Sequence, residues 1–191
     1  MSNAIEIEAK VLVNADDYRK LVKLFPDASR YMQTNYYIDS KDRMLAKSGI
    51  ALRIREKNGQ YEMTLKTPLS QGLLEKNVPL SMNEFCAFRD FGEFPKCDLL
   101  RFLTMLDFDV TDLKILTSLA TERIDVEYEG GLLSIDRNSY SGKVDYEIEF
   151  EYNNMEDAEA ILGDFLKKND VPVVFSKMRK TARAMAALNE K

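Results

Sequence analysis

The sequence predicts an α+β protein: a closed antiparallel eight-stranded β-barrel with a charged interior and helices packed on its outside. Three observations carry this expectation. About eight segments alternate apolar and polar residues with the period of two that marks a strand. The polar positions of those strands are ionised rather than neutral. Several amphipathic helices are available to cover the apolar faces from outside, and about eight strands are enough to close a sheet on itself.

Residues 5–13 alternate strictly, with Ile5, Ile7, Ala9, Val11 and Val13 opposite Glu6, Glu8 and Lys10. Asn14 is an N-cap for a helix over 14–25, and Asp16 and Asp17 in its first turn suit the helix dipole. A strand follows around 31–39. In 51–56 Leu52 and Ile54 oppose Arg53 and Arg55, and Asn58-Gly59 supplies a hairpin turn into the strand 61–67, where Thr64 and Lys66 share the polar face. A strand over 72–80 precedes Ser81 and Glu84, whose capping-box spacing starts a helix at 82–91, followed by a helix at 97–107. Strands are expected over 114–128, 131–139 and 143–152, with Gly130-Gly131 turning between the first two. Residues 155–169 form an amphipathic helix ending in lysines before Pro172, and a last helix spans 176–190 from Ser176. No linker, repeat or low-complexity tract interrupts the chain, so 1–191 reads as one domain. Residues 1–4 are left out of the functional reading, because Ser-Asn-Ala is a common remnant of tag removal.

Composition excludes several chemistries. The chain has no histidine, which removes Ser-His-Asp and Cys-His catalysis and His-ligated metals together. Cys86 and Cys97 form neither a CxxC pair nor a disulfide framework and read as buried thiols. A net charge of −5, from 27 basic and 32 acidic residues, argues against a general nucleic-acid or anionic-membrane partner. No run approaches the roughly 20 apolar residues of a membrane span, and no signal peptide is evident, so a cytoplasmic location is expected.

The ionised strand faces are the informative feature. An ordinary wet sheet face mixes in Thr, Ser, Asn and Gln, whereas here charge dominates and its sign is partly sorted by strand. Arg53, Arg55, Lys66 and Arg123 are basic; Glu6, Glu8, Glu147, Glu149 and Glu151 are acidic. Alternate side chains on a strand stand about 6.6–6.8 Å apart at Cα, so pairs of glutamates on facing walls can converge on one ion. An all-carboxylate site selects hard Mg²⁺ or Mn²⁺, and the arginines and lysines suit a polyanion. Together they describe a phosphate-ester or phosphoanhydride site.

The segment Glu6-Ile7-Glu8-Ala9-Lys10 resembles the ExExK signature of the CYTH superfamily, the triphosphate tunnel metalloenzymes. The resemblance extends in order through Arg53 and Arg55 in LRIRE, Lys66 in TLK, Glu75 in GLLEK, Arg123 in ATER, Asp136 in SIDRNSY, Glu147 and Glu149 in DYEIEFE, and Lys177. It implies a β-barrel tunnel, a triphosphate ligand and one or two Mg²⁺ or Mn²⁺ ions. It also implies that Lys10, Arg53, Arg55, Lys66, Arg123 and Lys177 hold phosphate oxygens. Glu6, Glu8, Glu147 and Glu149 would hold metal with help from Asp136, and Glu75 is a polar or metal-side member. Glu8, Glu147, Glu149 and Lys10 are the catalytic candidates.

Other positions read as ordinary structure. Arg179, Lys180 and Arg183 have the spacing of a solvated basic helix face; Tyr36, Tyr37 and Tyr140 read as core or rim; Met178 and Met185 read as helix packing. Glu151 continues the acidic parity toward the mouth. The expected activity is metal-dependent hydrolysis of inorganic triphosphate, short polyphosphate or an organic triphosphate. A class IV adenylate cyclase is the alternative within the family, weakened by the missing His-Phe before ExExK; the absence of Trp weakens a thiamine triphosphatase of the mammalian type. A non-catalytic polyphosphate or nucleotide sensor is the alternative outside enzymology. The sequence leaves monomer and homodimer equally open.

Overall fold

The computed structural model describes residues 2–68 and 73–188, with side chains from 7 to 68 and from 74 to 188. The strands are β1 (Ser2–Glu6), β2 (Glu8–Val13), β3 (Arg30–Asp39), β4 (Ala51–Lys57), β5 (Gln60–Pro68), β6 (Leu73–Leu80), β7 (Lys114–Tyr128), β8 (Gly131–Tyr140) and β9 (Lys143–Glu151). The helices are α1 (Ala15–Val22), α2 (Met44–Lys47), α3 (Met82–Phe91), α4 (Asp98–Met105), α5 (Met155–Lys168) and α6 (Lys180–Ala186). All strands join one antiparallel sheet in the order β1-β6-β5-β4-β3-β7-β8-β9-β2.

The expected N-terminal strand is therefore two. Residues 2–6 pair with β6, with Ala4 opposite Glu75, whereas residues 8–13 pair with β9, with Lys10 opposite Glu149. The partner changes at Ile7, whose carbonyl accepts the Tyr152 N–H at 3.1 Å. As a result the ladders of the described residues do not close into the expected eight-stranded barrel. They run in an open order whose two ends, β1 and β2, are consecutive in the chain. The other edge of β2 is covered from the C-terminal side: Val11 and Phe175 form a bridge, and the Ser176 N–H donates to the Lys10 carbonyl at 2.8 Å. Such pairing protects a strand edge that would otherwise be open to another chain.

Local signals act where the sequence places them, with instructive exceptions. Asn14 accepts hydrogen bonds from the Asp16 and Asp17 N–H groups at 2.9 Å, and Ser81 and Glu84 form the capping box. Asn58 and Gly59 both have positive φ, as a tight hairpin turn demands. The β7–β8 turn falls one residue earlier than expected, at Glu129-Gly130, and Gly131 opens β8 instead. Its smallness has a different reason: a Cβ there would lie 2.5 Å from the Glu151 carbonyl oxygen and 2.5 Å from the Phe150 ring. The last helix is shorter than 176–190. Ser176 is spent on the edge of β2, α6 begins at Lys180, and residues 189–190 lie outside the described part.

The sheet has an apolar outer face and a polar inner one. Two cores cover the outside. Val11, Ile124, Ile135, Ile148 and Phe150 pack under Leu21 of α1 and under Leu162 and Leu166 of α5. Leu52, Ile54, Met63 and Leu65 pack under Phe85 and Phe88 of α3 and under Leu99 and Leu103 of α4. Cys86 and Cys97 are half-buried against the second core rather than fully buried. The exterior placement expected of every helix fails for α6. Its Ala184 and Ala187 pack on Tyr37, Leu119 and Tyr140, which share the parity of the inner face. Met185 joins that contact, whereas Met178, expected to pack, is exposed. No helix of the described residues is long and apolar enough to cross a membrane.

Two glycines give opposite expectations. Gly131→Ala is expected to cost about 1–3 kcal/mol, because the backbone of β9 blocks the new methyl. Gly163→Ala, in the middle of α5 with its nearest neighbours at 3.8 and 3.9 Å, is expected to stabilise by about 0.5–1 kcal/mol. Urea unfolding of both variants checks the pair; equal effects would contradict this packing.

Candidate active site

Strand parity and register bring the expected residues to one face. Glu8 and Lys10 on β2, Arg53 and Arg55 on β4, Lys66 on β5, Arg123 on β7 and Glu149 on β9 line one cavity of about 540 Å³. Glu75 on β6 stands directly opposite Lys66 and reaches its ammonium at 2.5 Å. The side chain of Glu6 lies outside those described. Lys177 is exposed on the cavity wall, and Arg179 is exposed beside it. Glu151, opposite Glu8 in the ladder, is exposed at the rim.

One wall is acidic. Asp136 faces Glu147 across the β8–β9 ladder, with Glu149 two residues further on, and one oxygen of each lies within 4.8 Å of the others. Asp136 and Glu147 are fully buried and Glu149 nearly so. Charges so placed require compensation on the spot. Arg123, opposite Asp136 in the ladder, gives it two hydrogen bonds at 2.7 and 2.6 Å and a third to Glu149 at 2.6 Å. Lys10 stands opposite Glu149 and donates to Glu8 at 2.6 Å.

The remaining compensation comes from α6, which overturns the reading of Lys180 and Arg183 as a solvated basic face. The Lys180 ammonium lies 2.8 Å from Asp136, 2.7 Å from Glu147 and 2.5 Å from Glu149. The Arg183 guanidinium spans Asp145 at 2.8 Å and Glu147 at 2.9 Å. Burial pushes the Glu149 carboxyl up, but Lys180, Arg123 and Lys10 outweigh it and hold the group well below the usual carboxylate range. Burial likewise pulls Lys180 down, and Asp136, Glu149 and Glu147 more than reverse it. Arg123 is raised for the same reason.

The other wall is basic, and its two arginines have few close acceptors among the described residues. Arg55 is pulled down to about 10, first by the neighbouring Arg53 charge, then by burial and by Arg123. Its Nε donates to the neutral Asn35 side chain at 3.3 Å. The Arg53 Nε is buried without a hydrogen-bond acceptor among the described residues, and Glu75 stands 3.9 Å from its Nη2. Clustered guanidinium groups with a spare N–H present the electrostatics and donor geometry of a polyanion site. The three carboxylates opposite offer hard oxygen donors close enough to share one ion, so Mg²⁺ or Mn²⁺ fits them chemically.

The CYTH domain model matches residues 4–182. The chain belongs to the CYTH family. A relative in Bacillus subtilis (strain 168), named "Putative triphosphatase YjbK", is 34% identical over 174 residues, covering 90% of each protein. A Bacillus halodurans protein, solved by crystallography as a "putative adenylate cyclase", is 35% identical and superposes with a TM-score of 0.88 over 96% of this chain and 98% of its own. The Hippeastrum protein HpAC1, described as having a dominant triphosphatase activity, shares the fold at 22% identity, with a TM-score of 0.78 over 95% of this chain and 96% of that one.

Glu149 gives the candidate site a pH signature. Its folded pKa is depressed, so its stabilising share is present above the ordinary value of 4.5 and disappears as pH falls through the lower folded value. Thermal midpoints are expected to hold from neutral pH to about 4.5 and to drop below it. A profile that stays level into stronger acid would contradict the pairing described.

Proposed function

We propose that this chain hydrolyses triphosphates at the terminal phosphoanhydride, with Mg²⁺ or Mn²⁺, inside a charged tunnel formed by the curled sheet and completed covalently at Ile7. The whole chain acts as one CYTH unit. The observation that carries the reading is one cavity with crowded Arg53 and Arg55 on one side and, on the other, Glu149 backed by the deeper Asp136 and Glu147. A sensor that only bound polyanions would gain nothing from placing carboxylates against its ligand. The triphosphatase name of the Bacillus subtilis relative supports the same choice.

Arg53, Arg55 and Lys66 take the phosphate oxygens, with Lys10 and Arg123 bridging toward the acidic wall and Lys177 at the outer end. Glu75 neutralises Lys66 and orients it. Glu147, Glu149 and Asp136 hold the divalent ion, with Glu6 and Glu8 as further ligands on β1 and β2. When bound, that ion neutralises and orients the phosphate oxygens. Glu8, on the cavity wall and tethered by Lys10, holds the attacking water and accepts its proton. A new P–O bond forms in line as the anhydride P–O bond breaks, and the basic wall stabilises the charge on the transferred group. No covalent intermediate is involved.

Purified protein incubated with inorganic triphosphate, thiamine triphosphate or ATP, each with Mg²⁺ or Mn²⁺, is expected to release orthophosphate. Pyrophosphate with cyclic AMP would instead assign the cyclase chemistry suggested by the description of the Bacillus halodurans relative. Tight binding without turnover would assign a sensor. Glu8→Gln and Glu147→Gln are each expected to lower metal-dependent turnover by about two orders of magnitude or more, and Arg55→Ala to raise KM for triphosphate. Normal turnover in either glutamine variant would remove that residue from the mechanism.

A further inference from the structure

Resting on the reading of Asp136, Glu147 and Glu149 as the metal-binding carboxylates, we propose that Lys180 is the resident cation of that cluster. A divalent ion then binds there only by displacing Lys180 and loosening the start of α6. The ammonium touches all three carboxylates, at 2.8, 2.7 and 2.5 Å, so it occupies the point on which they converge. A hard ion coordinated at about 2.0–2.1 Å would need the same oxygens. An ammonium and a dication sharing them would repel at close range in a poorly screened interior. Access points the same way. Glu149 lies on the cavity wall with Lys180, whereas Asp136 and Glu147 do not line the cavity. Lys180 thus covers the route by which an ion would reach the two deepest ligands.

The helix is built so that this residue can move while the rest stays. Lys180 is the first residue of α6, and Arg179 before it makes no capping hydrogen bond. The body of the helix is held by Arg183, which grips Asp145 as well as Glu147, and by Ala184 and Ala187 on Tyr37, Leu119 and Tyr140. A lysine carries its charge on a flexible four-carbon stem and can turn into the cavity without unseating Arg183. There a polyanion on the basic wall offers it a new partner. Metal and triphosphate therefore assist each other: the ion frees Lys180 for the phosphates, and the phosphates draw Lys180 off the carboxylates.

The test measures Mn²⁺ binding alone, from the loss of the free-ion paramagnetic resonance signal, with no phosphate present. Lys180→Met is expected to bind Mn²⁺ roughly five- to 150-fold more tightly than the wild type, the usual span of a coupling between sites. Adding Glu147→Gln to that variant is expected to abolish the gain. On the wild-type protein, Mn²⁺ is expected to speed amide hydrogen exchange over residues 176–182 and leave β8 and β9 protected, a readout that does not depend on a variant folding. Equal or weaker Mn²⁺ binding by folded Lys180→Met, or exchange unchanged with Mn²⁺ bound, overturns this inference. If wild-type turnover still requires Mn²⁺ and Glu147, the functional reading stands without it. A gain that survives Glu147→Gln overturns both, since the ion would then sit elsewhere.

Discussion

Buried carboxylates must be neutralised where they stand, and in this protein that requirement organises the whole inner face. Asp136 and Glu147 have no contact with solvent. Removing one member of a buried ion pair strands the other, which typically costs about 3–5 kcal/mol. The counter-charges therefore have to be brought in by fixed structure. Arg123 comes from the adjacent strand by ladder register, and Lys180 and Arg183 come from the far end of the chain. The segment between α5 and α6 meets the edge of β2 at Phe175 and Ser176 and delivers α6 to the interior, so the buried carboxylates also determine where that helix goes.

The two walls differ in how well their charges are satisfied. On the acidic wall each carboxylate has short contacts to at least two cations. On the basic wall Arg55 loses proton affinity to its neighbours, and Arg53 keeps a buried N–H without an acceptor among the described residues. A resting protein tolerates the second situation only where a ligand is meant to relieve it, and an anion there improves both arginines at once. Charge that is finished on one side and unfinished on the other gives the cavity a direction, and in the proposed function phosphate lies toward β4 and β5 and the cation toward β8 and β9.

Much of this was legible in the sequence, because period-two alternation reports which face a side chain takes whatever the strand order. Arg53, Arg55, Lys66, Arg123, Asp136, Glu147 and Glu149 reach the inner face by parity alone. Parity does not record partners, and so the exchange at Ile7 left no trace: the alternation runs through it unchanged while the ladder passes from β6 to β9. Lys180 and Arg183 were misread because charged residues three apart on a short helix look the same whether they face water or acid. The available signal was on the other side of the pair. Asp145, Glu147 and Glu149 on a single strand, with Asp136 beside them, exceed the cations that the neighbouring strands supply, and the missing charge had to come from another element.

The change of partner at Ile7 also has a consequence for how the chain is made. Residues 2–6 can pair once β6 has emerged from the ribosome, but residues 8–13 pair with 146–151 and must wait for most of the polypeptide. Contacts this distant in sequence are slow to form and leave a strand unpartnered during synthesis. An uninterrupted apolar strand in that position would be prone to pair with another nascent chain. Glu8 and Lys10, set between Ile7, Ala9 and Val11, are charges of the kind that deter such pairing. The charged residues of the signature thus sit on a strand that has to wait for its partner.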